Sequence, residues 1–139
     1  MSLYVLDTDT FQLFQRGHAQ VIARARTVAP GDRAVSVITV EEQLSGWYTQ
    51  LRQAKRPDRL AWAYRRLAQN VRFLSRLQIL DFDEPAIARY DDLRQQKLKI
   101  GKTDLQIAAV ALQNDAALVT ANLRDFKKVL GLRIEDWSK

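Results

Sequence analysis

The chain has 139 residues, 47% apolar and 27% charged, which suits one domain with its own core and argues against wholesale disorder. It holds no cysteine and a single histidine, His18, which excludes disulfides, cysteine nucleophiles and thiolate or polyhistidine metal sites. The formal net charge is +6, and segment 51–76 alone carries eight basic residues against one acid, so one stretch concentrates the positive charge and points to a polyanion partner.

Leu3-Tyr4-Val5-Leu6 reads as a buried strand ending at Asp7. Phe11 to Val28 reads as one helix, with Val21, Ile22 and Ala25 at helical spacing. Pro30-Gly31-Asp32 is a turn, and Ala34 to Ile38 is a β-branched strand. Thr39-Val40-Glu41-Glu42 has capping-box spacing, which places a helix start at Thr39 and a run to about Ala54. Pro57 opens the next helix, where Leu60, Tyr64, Leu67, Val71 and Leu74 form an apolar stripe read as core. Arg65, Arg72 and Arg76 repeat on another side of it. Leu77 to Phe82 is a third strand, followed by a helix from Glu84 to about Lys97. Thr103 and Gln106 again have capping-box spacing, and Leu105 to Leu112 is apolar nearly all round, so this helix is expected to be central. Ala116 to Thr120 is a fourth strand, and Leu132-Arg133-Ile134 a candidate fifth. Strands alternating with helices predict an α/β fold, a parallel sheet of four to five strands with helices on both faces, spanning 1–139 as a single domain. No apolar run reaches the 18 or so residues of a membrane span and no signal peptide is visible, so no membrane association and a cytoplasmic location are expected.

Asp7 ends the first strand, Glu42 follows the second, and Asp125 follows the fourth, just past Thr120 and Asn122. The C-terminal ends of strands are where an open parallel sheet binds ligands. Asp104, in the first turn of the buried helix, is placed to face the same crevice. Four carboxylates there stay ionised together only against a strong counter-charge, and oxygen ligands suit Mg2+ or Mn2+. Each acid also has a local use: Asp7 as a turn cap, Glu42 as the partner of Thr39, Asp104 as a complement to the helix dipole. No glycine-rich phosphate loop is present. His18 is expected to be exposed, and Trp47, Trp62 and Tyr64 to be core or interface residues.

The chain resembles PIN-domain ribonucleases, and among them VapC-type toxins. The likeness rests on Val5-Leu6-Asp7-Thr8, on Ser36-Val37-Ile38-Thr39 leading to Glu42 and Gly46, and on Ile100-Gly101 before Asp104. It continues through Val119-Thr120-Ala121-Asn122-Leu123-Arg124-Asp125-Phe126 and Gly131 to Trp137. The resemblance implies a catalytic metal site of Asp7, Glu42 and Asp104, with Asp125 as the fourth, more variable acid, supported by Thr8, Thr120 and Asn122. Asp9 stands where the family usually has Asn, adding a carboxylate, and Glu41 adjoins Glu42.

The resemblance further implies an endoribonuclease that uses Mg2+ or Mn2+ to hydrolyse structured RNA such as transfer or ribosomal RNA. Arg65, Arg72 and Arg76 are the expected contacts to the RNA backbone. A cognate small antitoxin and a homodimer are the implied partners. Two alternatives are a degenerate PIN domain that binds RNA without cutting it and a receiver-like Mg2+ module phosphorylated at Asp81.

Overall fold

In the computed structural model, residues 2–139 are described. Five short strands, β1 Tyr4–Leu6, β2 Arg33–Ser36, β3 Gln78–Leu80, β4 Ala117–Val119 and β5 Ile134–Glu135, form one parallel sheet in the order β3-β2-β1-β4-β5. Parallel neighbours need crossovers, and the helices supply them. They are α1 Thr8–Gln15, α2 Ala19–Ala25, α3 Val37–Gln53, α4 Pro57–Leu74, α5 Glu84–Gln95, α6 Lys102–Gln113 and α7 Leu123–Phe126.

The period-2 alternation of the strands divides the core between the two faces of the sheet. Val5, level with Ala34 and Leu118, packs with them on one side against α5 and α6. Leu6, level with Val35 and Val119, packs on the other against Phe11 of α1, Val21 and Ala25 of α2, Leu74 of α4 and Trp137. Ile107 to Ala111 of α6 are all fully enclosed, as the apolar run predicts. Truncating a large aliphatic side chain in such a core costs about 2–5 kcal/mol.

Several local expectations are corrected. Phe11–Val28 is two helices, because Gly17 takes a positive φ of 82° that ends α1. His18 is then half-buried and caps α2, its Nδ1 accepting from the Val21 amide at 3.3 Å. Helix α3 starts at Val37, with Ser36 rather than Thr39 as the cap, because Ser36 Oγ accepts from the Thr39 amide at 3.3 Å. Helix α6 starts at Lys102 after an extended Gly101, so Thr103 is no cap either. Both capping boxes fail for one reason: a small residue two or three places earlier already leaves the extended backbone a cap needs. The Leu60–Leu74 stripe is not core. Leu60, Tyr64 and Val71 are exposed, Leu67 is half-buried and Leu74 alone is enclosed; α4 instead buries Ala63, Asn70 and Leu74.

Candidate active site

The sheet order reverses at β1, whose neighbours β2 and β4 lead the chain to opposite edges. The crevice at the C-terminal ends of such strands is the natural ligand site of an open parallel sheet. Asp7 stands there, one residue beyond β1. Its amide donates to Val119 O at 3.0 Å, tying it to β4. Its Oδ1 accepts from the Thr10 amide at 2.8 Å, which makes it the cap of α1. The capping role and the place in the crevice are therefore held by the same side chain.

Three further carboxylates reach the same cleft. Asp9 comes from the first turn of α1, Asp104 from the third position of α6, and Glu42 from the second turn of α3. With Asp7, Thr8, Gly101, Lys102 and Thr103 they line a cavity of ≈ 270 Å³. Glu42 is exposed but positioned: Thr8 Oγ1 donates to its Oε1 at 2.5 Å and lies 3.1 Å from Thr39 Oγ1. Glu41, its neighbour, does not line the cleft. Thr8 is thus placed to hold Glu42 from across the crevice.

The electrostatics show a site short of positive charge. Burial raises the pKa of Asp7, and hydrogen bonds from Thr120 and Thr10 only partly oppose it. Burial likewise raises Asp104, and Asp7, Glu42, Asp9 and Asp125 all push it the same way. The one cation among the lining residues is Lys102. Asp125 differs. Asn122 caps α7 and donates from Nδ2 to Asp125 Oδ2 at 3.0 Å, and Lys128 Nζ lies 3.5 Å from Oδ1. The hydrogen bond from Asn122, then Lys128 and Arg124, holds its pKa down. Thr120, fully buried, accepts from the Asn122 amide at 3.0 Å and so joins this corner to Asp7. Asp125 is close enough to act on Asp104 but does not line the cleft.

The donor set, hard carboxylate oxygens in a partly desolvated crevice, fits a hard divalent cation. Among the described residues no three acidic side chains are grouped tightly enough to cage an ion unaided.

Beside the acids lies a larger furrow that the sequence reading missed. It is ≈ 650 Å³, runs between α1, α3 and α4, and shares Glu42 with the acid cleft. Its signal in the sequence is a set of glutamines at helical spacing, Gln12 with Gln15 and Gln43 with Gln50, which reads as ordinary surface until α3 and α4 are paired. Arg66 lines it, whereas the expected contacts Arg65 and Arg72 on α4, and Arg76 two residues past its end, are exposed without lining either cavity. Asp81, past the edge strand β3, is exposed and also absent from the acid cleft.

Comparison with known proteins agrees with this fold. A family model of the PIN domain matches residues 4–132, and the chain belongs to that family. It is 32% identical over 142 residues to Ribonuclease VapC2 of Haemophilus influenzae, covering 99% of both chains. It is 30% identical over 141 residues to the tRNA(fMet)-specific endonuclease VapC of Salmonella typhimurium, again covering 99% of both. Among solved structures, the DNA-bound VapBC of Salmonella typhimurium superposes with a TM-score of 0.79 at 29% identity, covering 99% of both chains. The VapBC2 complex of Rickettsia felis, bound to a promoter DNA fragment, gives 0.77 at 29%, covering 97% of this chain and 98% of that one. Within the PIN family the chain is of the VapC type.

Proposed function

We propose that the protein is a metal-dependent endoribonuclease that acts as the toxin of a toxin–antitoxin module. The observation that carries this reading is the crowding of Asp7, Asp9, Glu42 and Asp104 in one crevice, where burial opposes the ionisation of Asp7 and Asp104 and the neighbouring carboxylates add to it at Asp104. Such a cluster is suited to a divalent cation rather than to structural stability.

When bound, the cation would neutralise the cluster, activate water for in-line attack on a phosphodiester and stabilise charge on the departing oxygen. The protein's part is to fix that chemistry in place. Asp7 and Asp104 would hold the ion from a strand end and a helix first turn, both rigid anchors. Thr8 keeps Glu42 turned into the crevice. Thr120 steadies Asp7 in its charged form. Lys102 supplies a cation at the rim to meet a phosphate.

The substrate class is structured RNA, transfer or ribosomal. The name of the Salmonella relative, a tRNA(fMet)-specific endonuclease, supports transfer RNA. Arg65 and Arg72, exposed on α4, and Arg76, exposed just past its end, remain candidates for phosphate contacts away from the cut. A cognate antitoxin is the expected partner, supported by the VapBC neighbours. A homodimer and a cytoplasmic site of action complete the reading; no helix among the described residues is long and apolar enough to cross a membrane.

The test is incubation of antitoxin-free protein with total cellular RNA in Mg2+, Mn2+ or EDTA, beside an Asp7→Asn/Asp104→Asn control. Discrete fragments from the wild type with metal, and none in EDTA or from the control, are expected. Equal cleavage in EDTA would refute metal dependence. RNA bound but never cut would favour the degenerate alternative.

A further inference from the structure

Three cavities lie end to end along α3. The acid cleft shares Glu42 with the glutamine-lined furrow, and the furrow shares Gln50 with a third cavity of ≈ 310 Å³ lined by Lys55, Arg56, Arg59 and Trp62. Glu42 and Gln50 are eight residues apart on one helix, about 12 Å at ~1.5 Å per residue. The wall between them is a stack linking α3 to α4. Arg66 lies over the Trp47 ring at 5.8 Å, Trp47 meets Trp62 edge-on at 5.6 Å, and Arg59 covers Trp62 at 4.4 Å. Both tryptophans are half-buried, so each keeps solvent-facing surface.

Below the furrow is an amide cluster. Asn70, 2% exposed, donates from Nδ2 to Gln43 Oε1 at 2.9 Å and to Gln15 Oε1 at 3.3 Å. Its Oδ1 is buried with no partner. An orphaned acceptor of this kind is rare in a folded protein and calls for an explanation.

Taken together, these features have the components of a single-strand nucleic-acid groove: aromatic faces, guanidinium planes, amides with both donors and acceptors, and a basic exit. Resting on the ribonuclease reading above, we propose that an unpaired RNA strand runs from the acid cleft along the α3–α4 furrow. Bases next to the cut stack on the Trp47–Trp62 wall and are read by Gln50 and Gln69, and the following phosphates meet Lys55 and Arg59. This track, whose Gln69 shares a side of α4 with Arg65 and Arg72, would select unpaired sequence beside the scissile bond. A glutamine amide matches the hydrogen-bonding edges of a base, and the flanking arginines match its phosphates.

The experiment uses the cleavage-silent Asp7→Asn/Asp104→Asn protein and short unpaired RNAs, with a duplex of the same sequence as control. Trp137 is only 1% exposed, so RNA-dependent changes in tryptophan emission report on Trp47 and Trp62. The unpaired RNA is expected to quench emission and the duplex is not. Arg66→Gln and Gln69→Ala, both at exposed positions, should each weaken binding about tenfold, the size of one lost stacking or base contact. In the otherwise wild-type protein, Gln69→Ala should also redistribute fragment ends. RNA that binds with unchanged emission and is indifferent to both substitutions would overturn the track and leave the furrow to a protein partner. Absence of any RNA binding would overturn it too. Quenching by RNA together with a wild type that never cuts would instead sink the nuclease reading while leaving the track standing.

Discussion

Asp104 and Asp125 lie at the same edge of the sheet, each near the start of a helix, yet their surroundings drive them in opposite directions. Asp104 is half-buried, faces four other carboxylates and is harder to ionise than an ordinary aspartate. Asp125 is bonded to Asn122, paired with Lys128 and easier to ionise. The first arrangement leaves its charge without a compensating partner in the protein; the second is self-sufficient. The contrast separates the carboxylates that wait for a ligand from the one that organises the corner beside them.

The contrast can be broken most forcefully by removing charge from the cleft. Asp7→Asn with Asp104→Asn should reduce RNA cleavage at least about 100-fold, more than is typical for supporting residues around a metal. Asn keeps the α1 cap, so the circular dichroism spectrum should be unchanged. Thr8→Val comes next, with an expected loss of about 10- to 100-fold that Thr8→Ser restores, measured as initial cleavage rates. It tests whether the hydroxyl on Glu42, rather than the bulk at position 8, matters.

Smaller effects sharpen the same contrast through stability. Because the native state raises the pKa of Asp104, its charged form weakens the fold at neutral pH. That penalty fades as pH falls through the raised value toward the ordinary 3.8. In EDTA, Asp104→Asn should therefore raise Tm slightly at pH 7, and the gain should vanish near pH 4. Asp125 has the opposite sign. Its lowered pKa lends stability above its ordinary value that disappears as pH falls through the native one, so Asp125→Asn should lower Tm slightly at pH 7 and do nothing in strong acid. Scanning calorimetry of both variants at the two pH values checks the pair; equal shifts would erase the distinction.

Much of this site was legible before the fold. Asp7, Glu42 and Asp104 could be named because strand ends and first turns are visible in patterns of apolar residues, and the parallel sheet then brings them together. Asp9, expected as a supporting carboxylate that could add charge or bind metal itself, lines the cleft. Helix boundaries were less legible, since Ser36 and Gly101 compete with Thr39 and Thr103 as starts and local spacing cannot rank them. The burial of α4 was misjudged because its apolar stripe and its packed face differ: Ala63 and Asn70 go inward while Tyr64 and Val71 stay outside. The furrow was hidden because it exists only where α1, α3 and α4 meet, and no single segment announces it.

The most direct test is the affinity of the antitoxin-free protein for Mn2+, measured by titration calorimetry for the wild type, Asp104→Asn and Asp125→Asn. A cation held by the uncompensated cleft predicts at least a tenfold loss for Asp104→Asn, the lower end of what supporting residues cost, and a much smaller one for Asp125→Asn. Equal affinity across all three proteins, or a greater loss at Asp125, would contradict the account.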